Sequence, residues 1–423
     1  MKRLISVAVT SAVLASSQVH ATVSDDDFAQ LRADLAAMAQ RLNTLEAENA
    51  NLREISESTV TELDVAQTEL AGVVKGNSAS SWAERIKVKG DFRYRYEEID
   101  VEGRDKRDRN RIRARAALIA SLPSNTEVGL GIATGGDDPV STNQTLGGGG
   151  STKDVRLDLA YFKWNATENL YLTAGKMKNA FYRPQKNALL WDSDYNPEGI
   201  GAGWNSEHFF ATFAGNALES DGKHDNQQFI WGLQGGVKIA LGSASLSAGI
   251  GYYDIPIKGE TSFYGDDDDF FGNSFDCSDQ TDLSSCVYKY DYEEFEVFAN
   301  LGMNIFDMPL DIFADFVQNQ AVDEYDTGYV VGAKLGKASG RGTWQVAYQY
   351  QDLEKDALLG LVSDSDFAGG GTDGKGHRLT GAYGLNKQWK LGFTWFIDNE
   401  AGEGNLDSPL SYDRFMIDTV FKY

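Results

Sequence analysis

The chain has 423 residues, of which 42% are hydrophobic and 12% aromatic, with 44 glycines, seven prolines and a formal net charge of −24. A protein this negative repels nucleic acid, and we expect no nucleic acid as a partner. There are only four histidines, and the G-x-S-x-G, H-E-x-x-H and phosphate-loop motifs are missing from the sequence. We therefore expect no enzyme activity, no catalytic residue, no metal site and no cofactor.

The N-terminus carries the pattern of an export signal. Lys2 and Arg3 precede an apolar stretch that runs from Leu4 to about Ser16, and the sequence VHA ends at Ala21. A basic region, an apolar core and small residues before a cleavage point are typical of a secretory signal peptide. A membrane anchor is the alternative, but it needs about 18 apolar residues, more than are present. We predict that residues 1–21 are a signal peptide removed on export.

Residues 22–80 carry a heptad pattern of apolar side chains. The a positions are Phe28, Leu35, Leu42 and Asn49, and the d positions are Leu31, Met38, Leu45 and Leu52. A helix with this spacing buries its apolar seam against a similar helix. We predict a periplasmic coiled coil that joins copies of the chain, and we expect a homotrimer, although the heptads themselves do not set the number of helices. A single amphipathic helix packed on a globular core is the alternative.

From Ile86 onward the apolar period changes from about 3.6 residues to two, which predicts strands. Sixteen such segments are expected to begin near Ile86, Arg109, Asn125, Lys153, Asn169, Gly199, Glu207, Asn226, Ser243, Tyr292, Met308, Thr327, Arg341, Gly376, Gln388 and Tyr412. Short connections alternate with mostly long ones, as in a barrel with periplasmic turns and external loops. Residues 81–423 are therefore predicted to form an all-β, transmembrane antiparallel barrel of sixteen strands. The last strand must pair with the first, because lipid does not tolerate an open sheet edge.

Arginines stand at alternate positions in the first two predicted strands. The six are Arg93, Arg95, Arg109, Arg111, Arg113 and Arg115. Alternation puts them all on one face, and a charged residue facing lipid at mid-depth costs about 2–4 kcal/mol. We predict that they form a basic wall that lines a water-filled pore. An alternative, compatible with this, is that they pair with carboxylates of the barrel interior and serve stability.

The third long loop, residues 178–198, reads KNAFYRPQKNALLWDSDYNPE. It carries more apolar and aromatic residues than an exposed loop needs, so we expect it to fold into the barrel. Asp192, Asp194 and Glu198 would then face the arginines across a constriction. Rings of charged side chains of this kind select solutes by size and charge.

Three other loops hold much of the negative charge. Residues 254–289, 352–374 and 398–410 carry net charges of −7, −5 and −4. Acidic loops attract cations whereas the arginines attract anions, so the two features favour opposite selectivities. Cys277 and Cys286 lie within the first of these loops, and in an exported protein we expect them to form a disulfide.

Several segments resemble a known family. KGDFRYRYE, DRNRIRARA, STNQTLGG, DVRLDLAYFKW and WDSDYNPEG, all between residues 89 and 199, are similar to the putative porins of Gram-negative bacteria. The resemblance extends from about residue 80 to the C-terminus, and a leading coiled coil also occurs in that group. It implies a 16-stranded diffusion channel in the outer membrane, but it does not identify the solute.

We therefore expect an outer-membrane porin that admits small hydrophilic solutes or ions. Its surroundings would be the lipid bilayer and lipopolysaccharide of the outer membrane, with peptidoglycan as a further partner of the coiled coil. The alternative is a structural protein that tethers the membrane to the cell wall. A barrel that is only an anchor needs no charged loop opposite an arginine wall, whereas a plugged barrel would favour the tether.

Overall fold

The computed structural model describes residues 33–34, 36–53, 55, 58, 83–220, 227–402 and 409–423. The chain divides into two compact units, residues 1–81 and 82–423. No helix within the described residues is long and apolar enough to cross a membrane.

In the first unit, residues 36–53 are helical. The predicted signal peptide and the heptad residues Phe28, Leu31 and Leu35 lie outside the described residues. The described heptad residues Met38, Leu42, Leu45 and Leu52 are between 54% and 67% exposed. No described residue therefore covers the apolar seam of this helix, and the coiled coil stays a prediction.

The second unit is a closed antiparallel barrel of sixteen strands, which confirms the predicted fold class. The barrel strands are β1 (Ile86–Val101), β2 (Arg107–Leu122), β3 (Thr126–Thr134), β5 (Val155–Asn165), β6 (Leu170–Lys176), β7 (Glu198–Asn205), β8 (Phe209–Glu219), β9 (Gln228–Leu241), β10 (Ala244–Ile255), β13 (Tyr292–Ile305), β14 (Met308–Asn319), β15 (Thr327–Gly336), β16 (Trp344–Leu353), β17 (Gly374–Gly384), β18 (Trp389–Ala401) and β19 (Leu410–Lys422). Three short strands, β4 (Gln144–Thr145), β11 (Phe275–Cys277) and β12 (Cys286–Tyr288), lie in loops.

The barrel closes between its first and last strands. β1 pairs with β19 from Asp91 opposite Lys422 to Val101 opposite Tyr412. Gly90 and Tyr423 also exchange two backbone hydrogen bonds, of 3.0 and 3.1 Å. Every barrel strand thus has two neighbours, and no backbone edge is left open, as lipid requires.

Side chains alternate between the two faces of the barrel wall. On β9, Trp231 and Leu233 are 42% and 60% exposed on the outer face, whereas Ile230 and Gln234 point inward and are fully buried. This period of two follows from strand geometry, which sends successive side chains to opposite faces. The exposed outer face carries mainly apolar side chains, and the buried charged residues, such as Glu97 and Asp315, lie on the inner face together with apolar ones.

Three long loops fold into the long-loop end of the barrel: L3 (177–197), L5 (256–291) and L7 (354–373). Together with inward-facing barrel residues such as Val317 and Val330, they form one apolar cluster, which we call the loop core. Trp191 of L3 lies near its centre, 5.6 Å from the ring of Phe181 and 5.2 Å from that of Tyr253. Because Trp191 is only 1% exposed, its burial holds L3 inside the barrel.

Candidate functional site

The six predicted arginines lie together on the inner face of β1 and β2. Pairing of the two strands sets Arg93 opposite Arg113 and Arg95 opposite Arg111. Like charges directly opposite one another destabilise a sheet unless other groups neutralise them. The arginines therefore need carboxylate partners, and the strands and two loops supply them.

Two further arginines extend this surface, Arg414 on β19 and Arg378 on β17. The Arg414 side chain is 3% exposed and forms ion pairs with Glu97 and with Asp366, the latter at 2.9 Å. Arg378 pairs with Asp364 at 3.2 Å. We call the eight residues the arginine wall: Arg93, Arg95, Arg109, Arg111, Arg113, Arg115, Arg378 and Arg414. Sequence reasoning omitted the last two, although alternation with the outward-facing Leu379 and Phe415 already placed them on the inner face.

Strand carboxylates neutralise part of the wall. Asp91 accepts hydrogen bonds from Arg113, at 2.9 Å, and from Arg115, at 2.8 Å. Arg95 donates two hydrogen bonds to Asp418, at 2.8 and 3.0 Å. These bidentate guanidinium–carboxylate contacts fix the arginine side chains in place along the inner surface.

Loop L3 reaches the wall through Asp194. Its carboxylate lies 2.9 Å from Arg115 and 3.4 Å from Arg113, and it accepts a hydrogen bond of 3.0 Å from Thr142. Burial alone would raise the pKa of Asp194, but the two arginines outweigh it and hold the pKa below its ordinary value. Asp194 therefore carries its negative charge against the wall.

Loop L7 reaches the same wall through Asp366, which the sequence analysis did not identify. Asp366 lies 3.1 Å from Arg95 and 2.9 Å from Arg414. Burial would raise its pKa, but these two arginines lower it well below the ordinary value. Two loops that are far apart in the chain therefore place an ionised carboxylate on the arginine wall.

The two loops use the same short motif. L3 contains Asp192-Ser193-Asp194 and L7 contains Asp364-Ser365-Asp366, and in each the second Asp donates its backbone N–H to the first, at 2.7 and 2.9 Å. The motifs also contact each other, because Ser365 donates hydrogen bonds of 3.0 and 3.1 Å to Asp192. Recurrence of the Asp-Ser-Asp triplet was the sequence signal for the role of L7.

Asp192 and Glu198 are not in contact with the wall. Asp192 faces L7, and burial together with the nearby Asp364 raises its pKa to about 8. Glu198 begins β7 and pairs with Lys176 at 2.9 Å, with 65% of its side chain exposed. Of the three acidic residues expected to face the arginines, only Asp194 lies within ion-pair distance of them.

The opposite side of the interior holds carboxylates without a cation. Glu296 accepts hydrogen bonds from Gln234, at 2.9 Å, and Tyr253, at 2.7 Å. Asp315 accepts one from Asn187 of L3, at 2.9 Å, and Glu294 accepts one from the backbone N–H of Leu359 in L7, at 2.9 Å. Within the described residues, none of these three acids forms an ion pair. Asp315 and Glu294 thus anchor L3 and L7 through neutral donors, whereas Glu296 binds side chains of β9 and β10.

Cys277 and Cys286 are opposite one another in the β11–β12 hairpin of L5, and their sulfur atoms form a disulfide bond of 2.02 Å. Across the described part of the chain, no group of three or more His, Cys, Asp or Glu side chains could hold a metal ion.

Among the described residues, two of the cavities lie between the loops and the barrel wall. The larger, of 540 Å³, lies beside β3, β5 and β6 and includes Asp194 and Glu198 in its lining. The smaller, of 320 Å³, lies against β1, β2 and β19. Asp138 and Ser141 of the loop between β3 and β5 line both cavities, so this loop separates them.

Comparison with known proteins supports the fold and the family. The model of a family described as putative porin matches residues 101–266 and 284–423. The high-pH structure of Pseudomonas putida OprB is 13% identical with a TM-score of 0.53, and the match covers 82% of this chain and 97% of that one. The trimer form of Vibrio cholerae OmpT is 12% identical, with a TM-score of 0.45 and coverage of 80% and 99%. A triple mutant of Rhodopseudomonas blastica porin is 9% identical, with a TM-score of 0.46 and coverage of 80% and 100%. No curated protein sequence matches the chain.

The similarity to OprB covers 82% of this chain and, at 13% identity, shows the fold alone. The family match covers well over half of the chain and both halves of the barrel, including β2, β17 and β19 of the arginine wall but only the last residue of β1. Family and fold together point to an outer-membrane channel rather than an enzyme. The chain belongs to the putative porin family.

Proposed function

We propose that the barrel is a diffusion channel for small hydrophilic solutes or ions, and that solutes pass between the arginine wall and the loops L3 and L7. The observation that carries this proposal is the pair of loop carboxylates, Asp194 and Asp366, on opposite parts of the wall. Fixed charges of both signs around a narrow passage create a field that selects by size and charge. An anchor has no use for such an arrangement.

The charge balance of the passage favours anions. Seven of the eight arginines of the wall pair with six carboxylates, Asp91, Glu97, Asp194, Asp364, Asp366 and Asp418. Within the described residues Arg93 donates to Asn143 and forms no ion pair, so the net charge of the wall is +2. Asp364 and Asp366 of the acidic loop 352–374 are already among these six, and no other described acid of the three acidic loops forms an ion pair with the wall. At physiological salt, exposed charges are screened beyond about 8 Å. We therefore propose that the wall controls selectivity and that the channel prefers anions weakly.

The helical unit supports a further part of the proposal. Met38, Leu42, Leu45 and Leu52 expose an apolar seam at heptad spacing, and a parallel coiled coil would bury it. We propose a homotrimer whose helices meet in the periplasm, next to peptidoglycan, while the barrels span the outer membrane beneath lipopolysaccharide.

The tether remains the second candidate function, and the loop core favours it. L3, L5 and L7 bury a continuous apolar cluster within the long-loop end of the barrel. An interior filled to this extent would suit a barrel whose main task is anchoring. The smaller cavity, which three arginines of the wall line, is the space beside the wall that a conducting channel would use.

Planar-bilayer recording of the purified full-length protein separates the two candidates. A channel gives stepwise increases in current as molecules insert, and liposome swelling with sugars of increasing size then measures the passage. A tether gives no current although the folded barrel inserts into liposomes. The matched control is Arg341→Gln, which removes an exposed arginine from the turn after β15 and should leave the conductance unchanged.

A further inference from the structure

The smaller cavity is unusually basic for so acidic a protein. Five arginines and two aspartates line it, so its formal charge is +3, and Glu97 behind it offsets one of these charges. The arginines are Arg104, Arg107, Arg109, Arg111 and Arg414. The cavity lies at the long-loop end of β1, β2 and β19, where a solute from outside would meet the wall first.

Among the arginines of the wall, Arg111 has the guanidinium group with the weakest contacts to other residues. Its side chain is 14% exposed, and its nearest ion-pair contact is Glu97 at 3.7 Å, which is too long for a hydrogen bond. Its Nε is buried without a partner, and no hydrogen bond from its guanidinium to another described residue is formed. Arg113, two positions along the same strand, donates three hydrogen bonds to Asp91 and Asp194. Buried guanidinium N–H groups normally donate hydrogen bonds to protein or water. The unused donors of Arg111 are therefore available to bind a ligand.

Two further donors converge on the cavity. The Ser141 hydroxyl accepts a hydrogen bond of 3.2 Å from Asn143, and it donates none to another described residue. Arg107 is exposed on β2 and, within the described residues, forms no ion pair. The aspartates of the lining are already engaged, since Asp366 binds two wall arginines and Asp138 accepts a hydrogen bond of 2.9 Å from the Val140 backbone.

We infer that this cavity binds a small oxyanion, a carboxylate or a phosphate, between Arg111, Arg107 and Ser141. The inference rests on the proposed channel function, because it makes the cavity the first binding step of a permeating anion. A planar guanidinium matches two oxygens of a carboxylate or a phosphate at once, which chloride cannot reproduce. The volume of 320 Å³ suits a solute of a few carbon atoms or a phosphate ester.

Calorimetric titration of the purified full-length protein in detergent tests the binding directly. Sodium phosphate and sodium succinate are titrated separately, with sodium chloride holding the ionic strength constant. We expect saturable binding of at least one of them, and the tighter ligand identifies the oxyanion. Arg111→Gln should weaken binding by about 10–100-fold, whereas Arg111→Lys, which keeps the charge and loses the bidentate contact, should fall in between. The control Arg341→Gln should bind as the unchanged protein does.

A second variant protects the test against misfolding. Arg107→Gln changes an exposed residue of the same cavity and should also weaken binding while leaving the barrel folded, as judged by circular dichroism and resistance to detergent unfolding. The inference is overturned if neither oxyanion binds, or if Arg111→Gln and Arg107→Gln, both folded, bind as tightly as the unchanged protein.

Current recordings separate this inference from the channel proposal. The same oxyanions, added from the long-loop side, should block the chloride current of the unchanged protein and block that of Arg111→Gln only at about 10–100-fold higher concentration. If no current passes but calorimetry still gives binding that depends on Arg111, the channel proposal falls and the binding site stands. If current passes and neither oxyanion binds, the channel stands and the site falls.

Discussion

The two sides of the barrel interior hold the same loops by different means. On β1, β2, β17 and β19, ionised carboxylates of L3 and L7 meet arginines, as Asp194 meets Arg115 and Asp366 meets Arg414. On β9, β10, β13 and β14, the loops pack apolar side chains and donate neutral hydrogen bonds to buried acids such as Asp315. The smaller cavity lies against β1, β2 and β19 on the first side, and neither of the two cavities is lined by a strand of the second side. We infer that the two sides have different roles. The packed side, on β9, β10, β13 and β14, holds the loops in place, and the charged side, on β1, β2, β17 and β19, lines the passage.

The packed side should supply most of the loop stability, and Trp191→Ala would remove its largest contribution. Trp191 stacks on Tyr195 with ring centroids 5.9 Å apart and is 1% exposed. Truncating a buried Trp costs about 3–5 kcal/mol. We expect L3 to leave its position, so that limited proteolysis cleaves within L3 while the barrel stays folded, and the conductance rises.

The control is Trp344→Ala, which truncates a tryptophan on the outer face that is 43% exposed. It should not sensitise L3 to protease. Equal cleavage of the two variants would show that the loop core does not hold L3.

Asp366→Asn tests the charged side with a smaller change. It removes the ion pairs of L7 with Arg95 and Arg414, and hydrogen bonds to charged groups contribute about 1.5–3 kcal/mol each. The wall keeps its other partners, including Asp418, so we expect the barrel to fold. The net positive charge of the passage rises by one, and the reversal potential in a KCl gradient should shift toward anion selectivity.

Glu198→Gln removes the same charge from an ion pair that is remote from the wall and largely exposed, and such pairs contribute about 0–1 kcal/mol. Its reversal potential should stay close to that of the unchanged protein. If Glu198→Gln shifted the reversal potential as much as Asp366→Asn does, charges outside the arginine wall would determine the selectivity.

The contact between the two Asp-Ser-Asp motifs should make loop stability depend on pH. Burial and Asp364 raise the pKa of Asp192 to about 8, far above its value of about 3.9 in an unfolded chain. Between these two values the folded protein holds a proton that the unfolded chain has lost, so stability falls as pH rises from about 4 to about 8. Asp192→Asn should flatten this fall in thermal unfolding of the detergent-solubilised protein.

Asp194→Asn is the matched comparison, because the pKa of Asp194 is lowered by Arg113 and Arg115. The ionised carboxylate of Asp194 stabilises the folded protein above pH about 3.9, the pKa of Asp in the unfolded chain. This stabilisation is lost as the pH falls through the lower pKa that Asp194 has in the folded protein. The two variants should therefore alter opposite ends of the pH profile. Identical profiles would contradict the separate environments of the two aspartates.

The barrel was predictable because lipid imposes a simple pattern. Each predicted strand begins within three residues of an observed one, as with Arg341 against Trp344, since only alternation keeps charge out of the hydrocarbon. The inward orientation of the arginines follows from the same alternation.

The partners of the wall were harder to predict. The contact of Asp366 with Arg95 joins residues 271 positions apart, and the Asp-Ser-Asp triplet marks L7 without specifying which arginine it meets. Glu198 is the last residue of the predicted loop 178–198 and was therefore expected at the constriction, but β7 begins at that residue and Glu198 pairs with Lys176. The positions of the loops depend on contacts across the closed barrel. The alternation of apolar residues along each strand carries no information about these contacts.

The central claim is that the arginine wall controls the passage, and the reversal potential across a KCl gradient tests it most directly. We predict a weakly anion-selective potential for the unchanged protein, and a loss of that selectivity when Arg111 and Arg113 are both changed to Ala. A cation-selective potential that the double variant does not alter would contradict the account and give control to the acidic loops.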